Sequence, residues 1–173
     1  DELHDEVFPP PPRAFLVHQA VVAADDEEAL ALMRDASFAP AIQAVLASPA
    51  RPFAGDASEP STVRITRYSP ERIEIDVEAG APGILVLTDT WHPGWEATVD
   101  DTPVAIQRAD LLFRAVAVDA GTHRVVFRFR PVSLRAGALV SLIGLLGIVL
   151  ILVLSLYKPW RDAIMRVGKN AKE

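Results

Sequence analysis

The sequence predicts a mainly β protein, an antiparallel β-sandwich or jelly-roll-like module with one or two short N-terminal helices, followed by a single transmembrane helix. Three observations carry this. From Thr62 onward apolar and polar residues alternate with a period of two, Val63 and Ile65 against Arg64 and Thr66, the pattern of a strand with one buried face. Short runs of this kind recur, with turn residues between them, as far as Pro131. From Ala136 to Tyr157, 22 residues pass without one charge. At about 1.5 Å per residue such a helix reaches about 33 Å, enough for a hydrocarbon core of about 30 Å. A chain of 173 residues therefore holds one domain plus an appendage. A purely soluble protein is excluded. One span also excludes a channel, transporter or polytopic enzyme made from this chain alone.

Taken in order, residues 1–12 form an acidic and then proline-rich arm, read as a linker. The module occupies 13–131. Arg13–Ala20 is a short apolar run suited to a strand. Asp25–Glu28 supplies an N-cap and negative charge for a helix start, and Leu30 and Met33 follow at helical spacing, so a helix is expected over 26–36. These acids read as a solvated helix start, because the alternating ligands and glycine of a calcium loop are absent. Pro40 is expected to open a second helix to Ala47, with Ile42, Val45 and Leu46 on one face. Residues 48–61 are turn-rich and read as a mobile surface loop.

The strands follow. Ile73, Ile75 and Val77 alternate with Arg72, Glu74, Asp76 and Glu78, so the charged face is expected in water. Ile84–Thr88 is continuously apolar and reads as a central strand covered on both faces. Trp95, Ala97 and Val99 share an inward face, and Asp100–Pro103 turns into Val104–Ile106. Leu111–Val118 and Arg124–Arg130 are two longer strands, with Val125, Phe127 and Phe129 inward. The predicted core holds Ile73, Ile75, Val77, Leu85, Leu87, Phe127 and Phe129. The transmembrane helix is placed at 134–157 and a basic tail at 158–173. The short join from strand to helix keeps the module near the membrane surface.

Residues 1–135 carry a net −9, with no lysine, and residues 158–173 carry +3. Positive residues flanking a span mark the cytoplasmic side. The expected topology is thus an extracytoplasmic N-terminal module and a cytoplasmic C-terminus. An acidic domain repels phosphate backbones, so nucleic acid is not expected as a partner. The chain has no cysteine, which removes disulfides, thiolate metal sites and cysteine nucleophiles. It does not begin with Met, which is expected of either a processed start or the end of a longer protein.

Thr88-Asp89 leads into Pro93-Gly94-Trp95-Glu96-Ala97 and Val99-Asp100. Ile106, Ala109 and Phe113-Arg114-Ala115-Val116 follow, then Ala120-Gly121 with His123, Val125, and Phe127-Arg128-Phe129-Arg130-Pro131 before the last helix. With Pro12-Arg13-Ala14-Phe15-Leu16-Val17 at the start, this stretch resembles the C-terminal part of the YfhO family. These are large bacterial polytopic membrane proteins related to glycosyltransferases that use lipid-linked sugars. The matching motifs are structural: a Pro-Gly-Trp turn, a hairpin, and a strand running into a membrane helix. Asp101 stands where the family usually has glycine, so that hairpin turn departs from the pattern. The resemblance carries over no catalytic residue, because the family's many earlier helices, and the extracytoplasmic loop that holds a catalytic acid in transferases of that architecture, have no counterpart here.

A search for chemistry finds little. His4, His18, His92 and His123 lack metal-ligand spacing, and nucleophile-elbow, phosphate-loop and dinucleotide motifs are absent. Asp89 with His92 reads as backbone-bonding loop residues rather than a site, and Asp100 with Asp101 as turn residues rather than an acid/base pair. Neither a metal nor another cofactor is expected, nor catalysis. Trp91 and His92 are candidate surface contacts, while Trp95 belongs to the core. Gly137, Ser141, Gly144 and Gly147 form a candidate helix-packing face, since small residues at spacings of three and four admit a second helix. Tyr157, Lys158, Trp160 and Arg161 are candidate anchors at the membrane interface. The sequence thus predicts a non-catalytic structural subunit that meets other membrane subunits and the lipid bilayer through helix and module. The alternative is a module that recognises a glycan or lipid-linked sugar within a YfhO-like transferase.

Overall fold

The structure, a computed structural model, describes residues 12–48 and 60–170, with side chains at 132, 135 and 156–170 left aside. The proline-rich arm and nearly all of the 48–61 loop lie outside the described residues. The chain divides into two units, Asp1–Arg130 and Pro131–Glu173.

In the first unit, β1 (Ala14–Val17) and β2 (Gln19–Val22) precede α1 (Asp26–Arg34) and β3 (Gln43–Leu46). Then come β4 (Thr62–Ser69), β5 (Arg72–Ala79), β6 (Gly83–Thr90), β7 (Trp95–Val99), β8 (Thr102–Val104), β9 (Gln107–Ala109), β10 (Phe113–Val118) and β11 (Gly121–Phe129). They make a six-stranded sheet, β1-β6-β10-β9-β3-β2, and a five-stranded sheet, β4-β5-β11-β7-β8. The expected mainly β, two-sheet class is the one observed. All pairings are antiparallel except β2 with β3.

The predicted run 13–20 is two strands, not one. It breaks at His18, whose Nδ1 lies 3.0 Å from the Pro82 carbonyl. Because β1 and β2 sit at opposite edges of one sheet yet are joined through one residue, that sheet must curl back on itself. Gly83 is required where the chain passes β1, since a Cβ there would stand 2.7 Å from the Val17 carbonyl oxygen.

Alternation decides where each core lies. Ile73, Ile75, Val77, Leu85, Leu87 and Phe127, six of the predicted core residues, are buried between the two sheets. Ile84 and Val86, from the opposite face of β6, pack with Val17, Ala44, Leu46 and Ala115 inside the curl. The continuous apolar run of β6 is thereby explained, since both of its faces are covered. Phe129, expected in the core, is half-buried at its rim, against Trp95 and His92.

α1 begins as expected. The Asp25 carboxylate accepts from Glu28 N (2.8 Å), while Glu28 accepts from Ala24 N (2.6 Å), a reciprocal cap. The second helix does not form. Gln43–Leu46 is instead β3, parallel to β2 with Ala44, Val45 and Leu46 buried. Ile42, Val45 and Leu46 satisfy a helical spacing, but pairing with a strand far away in sequence wins. Leu111 is not in a strand either. Asp110 and Leu111 have φ of 47° and 67°, forming the turn between β9 and β10. Asp110 is 6% exposed, and its carboxylate accepts from Val45 N at 2.8 Å, tying that turn to β3.

Glu74 is likewise not in water. It is 5% exposed, covered by arginines, with Arg72 Nε at 2.6 Å, Arg67 at 3.7 Å and Arg124 in direct contact. The Arg124 hydrogen bond above all holds its carboxyl below the usual range.

Candidate functional site

Two clusters of polar side chains stand out within the module. The first is internal. Arg114 on β10 is 2% exposed and is the largest fully buried side chain. Its Nη2 donates to Asp89 Oδ2 on β6 at 2.8 Å. Its guanidinium lies 3.9 Å from the centre of the Trp95 ring and 5.6 Å from that of Phe127, a geometry in which the ring faces stabilise the cation. Asp89 also accepts from the Tyr68 hydroxyl at 3.1–3.2 Å, and the Arg13 guanidinium lies 4.6 Å from the Tyr68 ring centre. Burial lowers the Arg114 pKa, opposed by Asp89. Burial raises that of Tyr68, helped by the Asp89 carboxylate. Arg114 and Asp89 belong to the six-stranded sheet, and Trp95, Phe127 and Tyr68 to the five-stranded one. The cluster therefore clamps the sheets together. Sequence reasoning gave Arg114 no role, and paired Asp89 with His92 only to set the pair aside. The structure gives Asp89 to Arg114 and Tyr68.

The second cluster faces solvent, beside the turn from β7 to β8. Asp100 and Asp101 have φ of 49° and 63°, a hairpin turn in which the first aspartate is fixed on both sides. Asp100 Oδ1 accepts from Arg124 N at 2.8 Å, and Oδ2 lies 2.7 Å from His123 Nδ1. The Arg124 amide, then His123, hold the Asp100 carboxyl below its ordinary range. The bond to Asp100 raises the His123 pKa against the effect of burial. The pair borders a groove of about 500 Å³ between β8, β9, β10 and the start of β11. Val99, Val104 and Ala117 form its apolar wall, while Thr102, Gln107 and Asp119 add polar groups. Such a mixture suits a polyol, whose hydroxyls meet the carboxylates and amide while its C–H faces lie on the apolar wall.

The sequence-predicted surface residues are dispersed. Trp91 is 37% exposed, and its backbone N–H donates to the Leu112 carbonyl. His92 Nδ1 accepts from Gly94 N at 2.9 Å, and its ring meets Phe129 edge-on at 5.5 Å, so His92 shapes the Pro-Gly-Trp turn. Among the described residues no group of three or more His, Asp or Glu converges on a metal position.

The second unit is α2 (Val132–Asn170). Ala136–Ser155 within it has a mean hydropathy of 2.9, and none of it is buried. Gly137, Ser141 and Gly144 are exposed and Gly147 is half-exposed. A Cβ added at any of these three glycines would meet nothing within 4 Å. Tyr157, Lys158, Trp160 and Arg161 lie on the helical backbone of α2, and their side chains lie outside the described ones.

Residues 55–141 match the family described as "Bacterial membrane protein YfhO". That stretch covers half of the chain and holds Asp89, Trp95, Arg114 and the Asp100–His123 pair. The chain belongs to the YfhO family. No curated protein and no solved structure matches it. The clamp is built from motif residues that the resemblance had singled out in sequence, Asp89, Trp95, Arg114 and Phe127. In this YfhO member those motifs lock one sheet to the other.

Proposed function

We propose that this YfhO chain acts as a non-catalytic, membrane-anchored assembly module. Its β-module lies on the extracytoplasmic side of a bacterial inner membrane, α2 crosses once, and the basic tail is cytoplasmic. The observation that carries the reading is the long apolar stretch Ala136–Ser155, none of which is buried. Hydrocarbon of that extent needs lipid or another helix against it, and small residues at 137, 141 and 144 leave room for a backbone to approach. The partners are other membrane protein subunits, met through α2 and the module. Replacing Gly144 with Leu fills the groove and keeps the helix apolar. Gly144→Leu is expected to insert normally but to lose co-purifying membrane subunits, while Val149→Leu keeps them; equal retention would make the groove incidental.

A second reading is favoured by the groove beside Asp100 and His123, whose carboxylates, amide and apolar wall suit a glycan or lipid-linked sugar. Ala105 is exposed and lines this groove. If the groove holds a sugar, Ala105→Trp abolishes glycan binding by the full chain and leaves subunit retention intact.

A further inference from the structure

The outer face of the five-stranded sheet gathers arginines at one end. A hollow of about 460 Å³ lies between the β4–β5 turn and the end of β11. Arg67, Arg72, Arg128 and Arg130 line it, with Phe129 as an apolar wall and Glu71 as the one carboxylate. The stretch 1–135 is otherwise strongly acidic, so four guanidiniums around one hollow are a local inversion of charge.

Two features of this cluster call for an anion. Arg72 and Arg128 are directly paired across β5 and β11, and like charges placed opposite one another destabilise a sheet, although Glu96 on β7 faces Arg128 from the other side. Glu74 answers part of that charge from below, bonding Arg72 Nε and lying 3.7 Å from Arg67. Glu96 reaches Arg130 only at 3.8 Å. Arg128 Nε is buried and has no hydrogen-bond partner among the described residues. Guanidinium groups present several N–H donors in a planar fork that matches the oxygens of a phosphate.

We propose that this hollow binds the headgroup phosphate of an anionic phospholipid. Chain connectivity selects that occupant. Arg130 stands six residues before Ala136, where the apolar stretch begins, and with α2 helical from Val132 those six residues span at most about 13 Å. The headgroup layer extends roughly 5–7 Å beyond the hydrocarbon core, within the chain's reach from this end of β11. The proposal rests on α2 crossing a membrane and is independent of what α2 packs against.

Hydrogen exchange of the full chain in lipid nanodiscs tests it, comparing phosphatidylcholine discs with discs containing added phosphatidylglycerol. The expected result is slower amide exchange at 69–72 and 128–130 in the phosphatidylglycerol discs only. Arg128→Gln with Arg130→Gln should abolish that protection, and the single exposed change Arg130→Gln should reduce it. Arg64→Gln, on the same strand as Arg67 but away from the hollow, should keep it. Unchanged exchange at 73–77 shows that each variant is folded. Equal protection in both discs, or protection that survives the double change, overturns the proposal. If millimolar inorganic phosphate in phosphatidylcholine discs gives the same protection, the lipid is the wrong source and the site is one for free anions. Fast exchange along 136–155 would mean that α2 is not inserted, and would overturn this inference and the membrane topology together.

Discussion

Phe127 on β11 is 0% exposed and Leu142 on α2 is 51% exposed, although both are large hydrocarbon side chains in one short chain. The β-module covers its own apolar surface. Two strand faces meet between the sheets, a second set fills the curl of the six-stranded sheet, and α1 closes a third over Ala23, Ala29 and Val45. The apolar stretch of α2 covers none of its surface. The difference teaches where each part gets its stability. Substitutions in the module should be felt as folding free energy, whereas those on α2 should be felt through whatever surrounds the helix.

The largest effect expected within the module comes from Phe127→Ala, which removes a side chain at the centre of the inter-sheet core. A loss of about 3–5 kcal/mol is expected, read from denaturation of the full chain in mild detergent. A loss under about 1 kcal/mol would mean that the sheets do not close over that position.

Next comes Asp89→Ala. It strands the Arg114 guanidinium in the core without its carboxylate, at an expected cost of about 3 kcal/mol. Arg114→Met removes the buried charge and fills similar volume, so it should cost clearly less than Asp89→Ala. The reverse order in a denaturation series would show that the clamp draws its strength from stacking on Trp95 rather than from the ion pair.

A smaller effect should follow pH at the Asp100–His123 pair. His123 is raised above its ordinary 6.5, so its contribution is complete below about pH 6.5 and fades as pH rises through the higher folded value. Asp100 is lowered below 3.8, so its contribution is complete above about pH 4 and fades as pH falls through the lower folded value. Both contributions of the pair are therefore complete between those limits, and His123→Gln should remove the part of the decline that begins as pH rises above about 6.5. An alkaline decline unchanged in His123→Gln would assign the titration to another group.

The smallest effect on folding is expected from Gly144→Leu. With nothing within 4 Å of the position, the module's denaturation midpoint should not move. A shift of the midpoint would show that α2 and the module depend on each other for stability.

Sequence patterns exposed the local parts of this fold and missed the long-range ones. The alternation of Ile73, Ile75 and Val77, the doubly apolar run of β6 and the acids capping α1 each report a local environment that neighbours in sequence determine. Gln43–Leu46 misled because helical spacing and a buried strand share the same apolar residues. The decision came from β2, which no local window contains. Arg114 received no role for a similar reason, since an arginine among apolar residues in a strand carries no local sign of what will surround it. Its burial depends on Asp89 and Trp95, from two other strands. Glu74 shows the converse, a carboxylate placed on the solvent face yet covered by three arginines. The Asp100–His123 groove had no sequence signal, since its walls come from β8, β9, β10 and β11. The helix α2 was legible, because its long apolar run is local in sequence.

The central claim is that the Gly137–Ser141–Gly144 face of α2 is covered by protein while the rest of the stretch meets lipid. The chain has no cysteine, so a single introduced thiol is a unique label site. Nitroxides attached at Ser141→Cys and at Val149→Cys, in native membranes rather than detergent, test the claim most directly. The account predicts an immobilised spectrum with little collision with dissolved oxygen at position 141, and a mobile, oxygen-accessible one at 149. Equally mobile, lipid-exposed labels at both positions would contradict it.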